Sequence, residues 1–353
     1  MERRISKKIK VGNIYIGGGS KVSVQSMTNT DSADFDATYG QIKRLENVGC
    51  DIVRMTVPDM EAVKTICRLK NTDINIPIVA DIHFDYKMAI EAAHAGADKI
   101  RINPGNIGGE DKVKAVVEVC NAKNIPIRIG VNSGSLEKSI LEKYGRPSGE
   151  ALAESALYHA SLLEKYDFTN IILAVKSSRV VDMVRANRLL AERTEYPLHL
   201  GVTEAGTVHK GVIKSAAGIG SLLLDGIGDT IRVSLTADPT EEIREGKAIL
   251  SSLGIAGESG INIISCPTCG RTKIDLIGIA NEFEKRTADL KVSKKIDVAI
   301  MGCVVNGPGE AKECDIGIAG GVGEAVLFKK GQIVRKIDEN RIIDELIEEI
   351  KRM

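Results

Sequence analysis

The sequence predicts an α/β protein in which an N-terminal (β/α)8 TIM barrel precedes a small α+β domain. Short apolar runs alternate eight times with longer amphipathic segments, and such alternation is typical of a parallel sheet covered by helices. Eight units within roughly 250 residues match the size of a closed barrel. The pattern changes after this region, so we predict a barrel domain over residues 1–254 and a second domain over residues 260–353.

The barrel strands are predicted from apolar runs bounded by Gly or Pro, at residues 22–27, 51–55, 77–81, 98–102, 126–130, 171–176, 198–202 and 230–234. The last barrel helix has Asp238 as a predicted N-cap, Pro239 in the first helical position and Glu241 in the third. An open, doubly wound sheet is the alternative architecture. Its first turn would need a dinucleotide-binding glycine pattern, which GNIYIGGGS lacks. We interpret this segment as a hairpin that closes the bottom of the barrel.

Composition and charge exclude several classes of function. The 48 basic residues balance the 48 acidic residues, and aromatic residues make up only 3% of the chain, so nucleic-acid binding is not expected. No apolar stretch is long enough to span a bilayer or to act as a secretion signal, and we expect a cytoplasmic protein. The seven cysteines therefore indicate metal ligands or buried thiols rather than disulfides. We attribute Cys50, Cys67 and Cys120 to packing, and we interpret His94 and His159 as plain surface or helix residues.

Five of the predicted strands carry a basic residue at or near the carboxyl end, namely Arg54, Arg101, Arg128, Lys176 and Arg232. TIM-barrel active sites form at that end of the strands. A single arginine there needs no ligand, because strand ends are solvated and arginine is common on protein surfaces. Five converging cations, however, repel one another unless an anion binds. Because guanidinium groups match phosphate oxygens, we predict a small diphosphate or polyphosphate ligand.

Other polar residues occupy the same predicted strand ends: Asp81, His83, Asn103, Asn132, Ser177, Ser178, Glu204 and Ser234. Of these, Asp81, His83, Asn103, Asn132, Ser177 and Ser234 are predicted to bind the substrate together with the five basic residues. Glu204 is the candidate proton donor, because a carboxylic acid beside bound phosphate can have a raised pKa. A salt bridge from Glu204 to a neighbouring arginine is an equally weighted alternative. His83 is predicted to donate to a phosphate oxygen.

Three cysteines in the second domain predict a metal centre: Cys266 and Cys269 form a C-x-x-C pair, and Cys303 follows a predicted strand. A structural zinc site would take Cys314 as its fourth ligand. An iron-sulfur cluster would instead take Glu310, on the turn next to Cys303, as a harder ligand on one exchangeable iron. The carboxylate of Glu310 on this turn favours the iron-sulfur cluster over the zinc site.

The motifs ADIHFD, KIRINPGN, IRIGVNSGSL, LHLGVTEAG, CPTCGRT and MGCVVNGPGEA resemble those of the two-domain bacterial 4-hydroxy-3-methylbut-2-enyl diphosphate synthase family, over essentially the whole chain. The resemblance implies a [4Fe-4S] cluster held by Cys266, Cys269, Cys303 and Glu310, and it leaves Cys314 out of the site. The family's phosphate-binding positions match Arg54, His83, Arg101, Arg128, Asn132, Lys176, Arg232 and Ser234.

The implied reaction is the reductive dehydroxylation and ring opening of 2-C-methyl-D-erythritol 2,4-cyclodiphosphate in the methylerythritol phosphate route to isoprenoids. Glu204 would protonate the leaving hydroxyl, Glu310 would be exchanged for a substrate oxygen on the unique iron, and ferredoxin or flavodoxin would supply electrons. Two alternatives from other classes are a non-redox barrel enzyme for a phosphate ligand with a structural zinc site, and a phosphate-binding module without catalysis.

Connectivity also predicts an oligomer. The last helix of a TIM barrel ends at the bottom, opposite the active-site mouth, and only seven residues, 254–260, link it to the second domain. We therefore expect a head-to-tail homodimer in which each cluster domain caps the partner's barrel, an arrangement that the resemblance also implies.

Overall fold

The computed structural model describes residues 2–255, 260–288, 290, 292–304, 309 and 311–353. The chain divides into two compact units, Met1–Ala256 and Gly257–Met353. Among the described residues, no helix is both long enough and apolar enough to cross a membrane.

The first unit is a barrel of eight parallel strands: β3 (Ser23–Met27), β4 (Ile52–Thr56), β5 (Ile78–Asp81), β6 (Lys99–Ile102), β7 (Ile127–Asn132), β8 (Ile171–Lys176), β9 (His199–Leu200) and β10 (Thr230–Ile231). Neighbours in sequence pair from β3 to β8, β10 pairs with both β3 and β9, and a backbone bridge between Leu173 and Leu198 connects β8 to β9. The ring therefore closes, and the predicted TIM barrel is confirmed.

Helices surround this ring: α1 (Phe35–Asn47), α2 (Met60–Leu69), α3 (Tyr86–His94), α4 (Glu110–Ala122), α5 (Lys138–Tyr144), α6 (Gly149–Glu164), α7 (Val180–Arg193), α8 (Val208–Leu224) and α9 (Pro239–Ser252). The predicted start of α9 is confirmed, because the Asp238 side chain accepts a hydrogen bond from the Thr240 amide and Pro239 is the first helical residue. Both α5 and α6 connect β7 to β8, where simple alternation predicts one helix.

A hairpin of β1 (Ile9–Val11) and β2 (Ile14–Ile16) precedes the barrel, as predicted. Its Ile9, Val11 and Ile16 side chains are buried in a cluster with three residues near the starts of barrel strands: Ile52, Val79 and Ile172. These apolar contacts close the amino-terminal end of the barrel. Polar ligands are thereby restricted to the opposite end.

The second unit is an α+β domain, as predicted. Its sheet has the order β11 (Gly260–Ser265), β12 (Lys295–Met301), β13 (Ile316–Gly320), β14 (Glu324–Lys329) and β15 (Gln332–Asp338). The first three strands are parallel, and the last two add antiparallel pairs. Helices α10 (Leu276–Thr287) and α11 (Ile342–Lys351) share an apolar core with the sheet, in which Phe283 and Leu346 are fully buried.

Candidate active site

A cavity of about 170 Å³ lies inside the barrel, toward the carboxyl ends of its strands. Its lining is mostly polar and comes from all eight strands or the residues that follow them: Met27, Arg54, Asp81, His83, Arg101, Arg128, Gly130, Asn132, Ala174, Lys176, Thr203, Arg232 and Ser234. The five basic residues singled out in the sequence therefore meet in one cavity.

These cations lie deeper than a solvated rim. Arg54 and Arg101 are each 9% exposed, Lys176 is 7% exposed and Arg128 is 1% exposed. Arg101 and Arg128 are register partners on β6 and β7, within the strands rather than beyond their ends. Because alternate residues of a barrel strand point inward, this register directs both guanidinium groups to the interior.

Asp81 is a buried counter-charge for two of these arginines. Its Oδ1 accepts a hydrogen bond of 2.9 Å from Nη1 of Arg101, and its Oδ2 lies 3.5 Å from Nε of Arg54. Burial alone would raise the pKa of Asp81, but Arg54, Arg101 and Arg128 outweigh burial and hold the pKa well below its usual value. Asp81 is therefore ionised at neutral pH and fixes both arginines.

Glu242 holds Arg232 in the same way. Its Oε1 and Oε2 accept hydrogen bonds of 3.0 and 3.1 Å from Nη2 and Nε of Arg232. Ser26 Oγ also donates to Oε2, and the Leu235 amide donates to Oε1. Glu242 lies in the first turn of α9 and is 3% exposed. Sequence reasoning missed this residue, because acidic residues are common in the first turn of a helix.

Positive charge remains in excess inside the barrel. Four arginines and Lys176 line the cavity, whereas the carboxylates that pair with the arginines, among the described residues, are Asp81 and Glu242, so the arginines alone leave an excess of positive charge. Among the described residues, Nε and Nη1 of Arg128 and Nε of Arg101 have no hydrogen-bond partner. Burial lowers the pKa of Lys176 well below its usual value, and Arg232, Arg54 and Arg128 lower it further. A bound polyanion would neutralise this charge, and its oxygens would accept hydrogen bonds from the unpartnered N–H groups of Arg128 and Arg101.

Two glycines leave room for the cations. A Cβ atom at Gly130 would lie 2.5 Å from Nε of Arg101, and a Cβ atom at Gly201 would lie 3.0 Å from Nζ of Lys176. Neither glycine was predicted as a site residue, because the sequence does not reveal which long side chain packs against each glycine.

The other predicted binding residues divide into two groups. His83, Asn132 and Ser234 line the cavity, and Nε2 of His83 lies 4.0 Å from Oδ2 of Asp81. Asn103 and Ser177 do not line it. Instead, Asn103 Nδ2 donates to Ser135 Oγ and its Oδ1 accepts from the Gly105 amide, while Ser177 Oγ accepts from the Arg179 amide. Both side chains therefore hold the loops that follow β6 and β8.

Glu204 follows β9 at the cavity end of the barrel and is exposed. Its φ of 51° lies in the left-handed region, which is uncommon for a residue other than glycine. No ion pair among the described residues includes Glu204, so the salt-bridge alternative has no support. Glu204 does not line the cavity itself.

His159, predicted to be a plain surface or helix residue, lies in helix α6 as expected but is 1% exposed, because its face of α6 packs inward, where Nε2 faces Oε1 of Glu137. Burial lowers the pKa of His159, and Glu137 opposes that shift. One packing prediction, that for Cys67, needs correction. Cys67 was attributed to packing but is exposed on α2. Cys50 and Cys120 are buried, as predicted, and burial raises the pKa of each thiol to about 12.

The candidate metal ligands lie at the ends of two adjacent parallel strands. Cys266 directly follows β11, and Gly302 separates Cys303 from the end of β12. The Gly302 amide donates to Sγ of Cys266 at 3.3 Å, while the Lys273 amide donates to the Gly302 carbonyl and so anchors the turn containing Cys269. Thiols at neighbouring strand ends, with an amide donor directed at one sulfur, are the type of ligand that an iron-sulfur cluster takes.

Glu310 lies outside the described residues. Within the part of the chain that the structure describes, no group of three His, Cys, Asp or Glu side chains is close enough to hold a metal ion, so the three predicted thiol ligands Cys266, Cys269 and Cys303 are not brought together in one site. Cys314 is 3% exposed and lies in an apolar cluster with Met301 and Phe328, which Cys266 also contacts. Burial raises the pKa of the Cys314 thiol.

Comparisons with known proteins agree with this architecture. A model of the GcpE TIM-barrel domain matches residues 6–247, and a model of the GcpE protein C-terminal domain matches residues 262–352. A dihydropteroate synthase from Xanthomonas albilineans, solved in complex with 7,8-dihydropteroate, superposes with a TM-score of 0.50 at 14% identity, covering 71% of this chain and 98% of that chain. At this identity the likeness concerns the fold alone.

Two relatives named 4-hydroxy-3-methylbut-2-en-1-yl diphosphate synthase (flavodoxin) match over nearly their whole length. The relative from Clostridium perfringens is 59% identical over 353 residues, which cover 99% of each chain. The relative from Halalkalibacterium halodurans is 53% identical over 351 residues, which cover 99% of this chain and 95% of the relative. With both family models matched in order along the chain, this protein belongs to the GcpE family of 4-hydroxy-3-methylbut-2-en-1-yl diphosphate synthases.

Proposed function

We propose that this enzyme converts 2-C-methyl-D-erythritol 2,4-cyclodiphosphate to 4-hydroxy-3-methylbut-2-enyl diphosphate. The observation that carries the proposal is the excess of buried positive charge in a cavity of about 170 Å³. A cyclic diphosphate supplies compensating charge and many acceptor oxygens in a compact ligand. The name shared by the relatives supports this redox reaction rather than a non-redox enzyme with a structural zinc site.

The barrel unit binds and orients the diphosphate in this proposal. Arg54 and Arg101 are held by Asp81, and Arg232 is held by Glu242, so these groups lose little freedom when the ligand binds. Arg128 offers its free N–H groups from the floor of the cavity. The remaining proposed contacts come from His83, Asn132, Lys176 and Ser234. Asn103 and Ser177 contribute by shaping the surrounding loops.

Glu204 is the proposed proton donor to the hydroxyl that leaves as water. Its position after β9, at the cavity end of the barrel, and its freedom from ion pairs among the described residues support this role. Ring opening breaks the carbon-oxygen bond to one phosphate. Loss of the hydroxyl as water breaks a second carbon-oxygen bond, and a carbon-carbon double bond forms. This stoichiometry requires two electrons from an external donor.

The second unit would hold the redox group. We propose that Cys266, Cys269, Cys303 and Glu310 bind a [4Fe-4S] cluster, which supplies electrons one at a time when it is present. The name of the relatives specifies flavodoxin, so we propose flavodoxin rather than ferredoxin as the donor. All seven cysteines are free, and free thiols together with such a cluster fit the reducing cytoplasm.

We also propose a homodimer in which each second unit caps the partner's barrel. Helix α9 runs antiparallel to the barrel strands and ends at Ser252, so the chain leaves the barrel at its amino-terminal end. The second unit begins at Gly257, five residues later. A two-fold axis would make both capping contacts equivalent.

The proposed function is tested on protein purified without oxygen. We expect a brown protein with about four iron and four sulfide per chain, which forms the linear diphosphate when reduced flavodoxin is supplied. Arg128→Ala should keep its iron and lose at least about tenfold in kcat/KM, since a charged hydrogen bond is worth about 1.5–3 kcal/mol. Arg244→Ala, exposed on α9, is the control. A colourless zinc protein, or one that leaves the cyclic diphosphate unchanged, would refute the proposal.

A further inference from the structure

Lys99 is a buried cation that the proposed site does not use. It lies on β6 two residues before Arg101, on the same inward face, roughly 7 Å farther from the cavity mouth. Lys99 is 0% exposed and does not line the cavity. Among the described residues, its Nζ has no hydrogen-bond partner and no carboxylate forms an ion pair with it.

Cations dominate the surroundings of this amine. The charged or titratable groups of the barrel interior are Arg54 on β4, Asp81 on β5, Arg101 on β6, Arg128 on β7, Lys176 on β8, His199 on β9, and Arg232 after β10 with its partner Glu242. Strand β3 adds only uncharged side chains. Both carboxylates already pair with arginines of the cavity, so neither neutralises Lys99.

A charged ammonium in this position is unfavourable in the free protein. It would lose its hydration, leave three N–H donors unpaired and repel Arg128 and Arg54. The guanidinium groups cannot relieve the repulsion, because arginine stays protonated in proteins. Burial accordingly lowers the pKa of Lys99 well below its usual value, and Arg128 and Arg54 lower it further.

A bound diphosphate would offset much of this repulsion. Its two negative charges beside Arg128 and Arg101 would lower the excess of positive charge in the cavity and so raise the proton affinity of Lys99. We propose that Lys99 is a positioning residue that lies uncharged in the free protein and takes up one proton from solvent when the diphosphate enters the cavity. This inference rests on the proposed function, and it adds that substrate binding is coupled to proton uptake by a residue that does not touch the substrate.

Two other groups can compete for the proton. Lys176 lines the cavity and would bind phosphate directly. His199 is fully buried, with Nδ1 3.4 Å from Thr230 Oγ1 and Nε2 without a partner among the described residues. Burial and the surrounding cations lower the pKa of His199 well below its usual value. The assignment to Lys99 therefore requires a comparison of variants rather than one proton count.

The test is calorimetric titration of oxidised holoenzyme, without reductant, with 2-C-methyl-D-erythritol 2,4-cyclodiphosphate. The cyclic diphosphate suits this purpose because neither of its ring phosphates ionises near neutral pH. Titrations in two buffers of different ionisation enthalpy give the protons taken up per ligand. We expect Lys99→Met and Lys99→Arg to take up about one proton fewer than the wild type. His199→Gln and the exposed Lys114→Met should match the wild type.

The two Lys99 variants differ in charge and so provide a second readout. For each proton taken up, the association constant should fall about tenfold per unit rise in pH. Lys99→Arg keeps its charge, so it should bind within severalfold of the wild type at neutral pH and show a shallower pH dependence. The free Lys99→Arg protein should melt at a lower temperature than the wild type. Should Lys99→Met fail to fold, Lys99→Arg still decides the proton count.

Four outcomes would overturn the inference. If the Lys99 variants take up as many protons as the wild type, Lys99 is not the proton acceptor. If His199→Gln takes up one proton fewer than the wild type and neither Lys99 variant differs from the wild type, the proton acceptor is the imidazole of His199. A wild-type protein that does not bind the cyclic diphosphate would refute the proposed function as well, whereas binding without proton uptake would refute only the coupling.

Discussion

Asp81 and Arg101 are register partners on neighbouring strands, and a hydrogen bond of 2.9 Å joins Oδ1 of Asp81 to Nη1 of Arg101. The second carboxylate oxygen of Asp81 lies 3.5 Å from Nε of Arg54. One buried carboxylate thus positions two guanidinium groups of the cavity. Asp81 therefore stabilises the empty barrel, whereas in the proposed function the arginines bind the diphosphate.

Asp81→Asn should destabilise the barrel. Removing one partner of a buried ion pair costs about 3–5 kcal/mol, because it leaves buried charge uncompensated. We expect the free energy of unfolding, measured by urea denaturation at pH 7, to fall by about 3 kcal/mol. Asp225→Asn breaks an exposed pair with Arg188 and should change it by less than about 1 kcal/mol.

The same variant has a defined pH dependence. The pKa of Asp81 is lowered in the folded barrel, so its stabilising effect is present above the usual aspartate pKa and is lost as the pH falls through the lowered pKa. The difference between wild type and Asp81→Asn should therefore shrink in acid. An Asp81→Asn protein as stable as wild type at pH 7 would contradict this account.

Gly130→Ala should weaken substrate binding without unfolding the barrel. The new Cβ would lie 2.5 Å from Nε of Arg101, so this side chain must shift and its bond to Asp81 must lengthen. We expect the dissociation constant of the cyclic diphosphate, measured by calorimetry, to rise about tenfold, which corresponds to about 1.4 kcal/mol. In Gly220→Ala, the control on α8, the new Cβ would meet no atom within 4 Å. Equal affinities in both variants would contradict the role of Gly130.

The cluster ligands should differ in their effect on iron content. Cys303→Ser should lose most of its iron and nearly all activity, because thiolates are the principal cluster ligands. Glu310→Ala should keep much of its iron, since the three thiolates remain. Cys314→Ser should keep its iron, because Cys314 is buried in an apolar cluster. Iron analysis after anaerobic purification measures all three. The ligand assignment is wrong if Cys314→Ser loses iron while Glu310→Ala behaves as wild type.

The proposed capping arrangement predicts complementation between two inactive variants. Cys303→Ser keeps an intact barrel, and Arg54→Ala keeps an intact cluster domain. Random exchange makes about half of the dimers mixed, and each mixed dimer has one intact barrel facing an intact partner cluster. Activity should recover to roughly a quarter of wild type. Subunit exchange is verified separately with tagged chains, and exchanged mixtures that stay inactive would refute capping by the partner.

The sequence by itself determined the order of elements and the kinds of chemistry. Strands and helices have different hydrophobic periodicities, so their order can be predicted without tertiary contacts. Asp238 and Pro239 likewise indicate the start of a helix from local sequence alone. The five cations and the cysteine spacing were also visible, because parallel strands bring their carboxyl ends together whatever the details of packing.

Only the tertiary structure decided how deep the cations lie and what holds them. The pairing of Arg232 with Glu242, the space that Gly130 leaves for Arg101 and the burial of Lys99 depend on barrel register and closure, which join residues far apart in sequence. His159 shows the same limit, because its helical pattern did not reveal that it faces Glu137 in the interior. Burial and partner choice arise from the packing of all eight strands at once, and no local pattern specifies them.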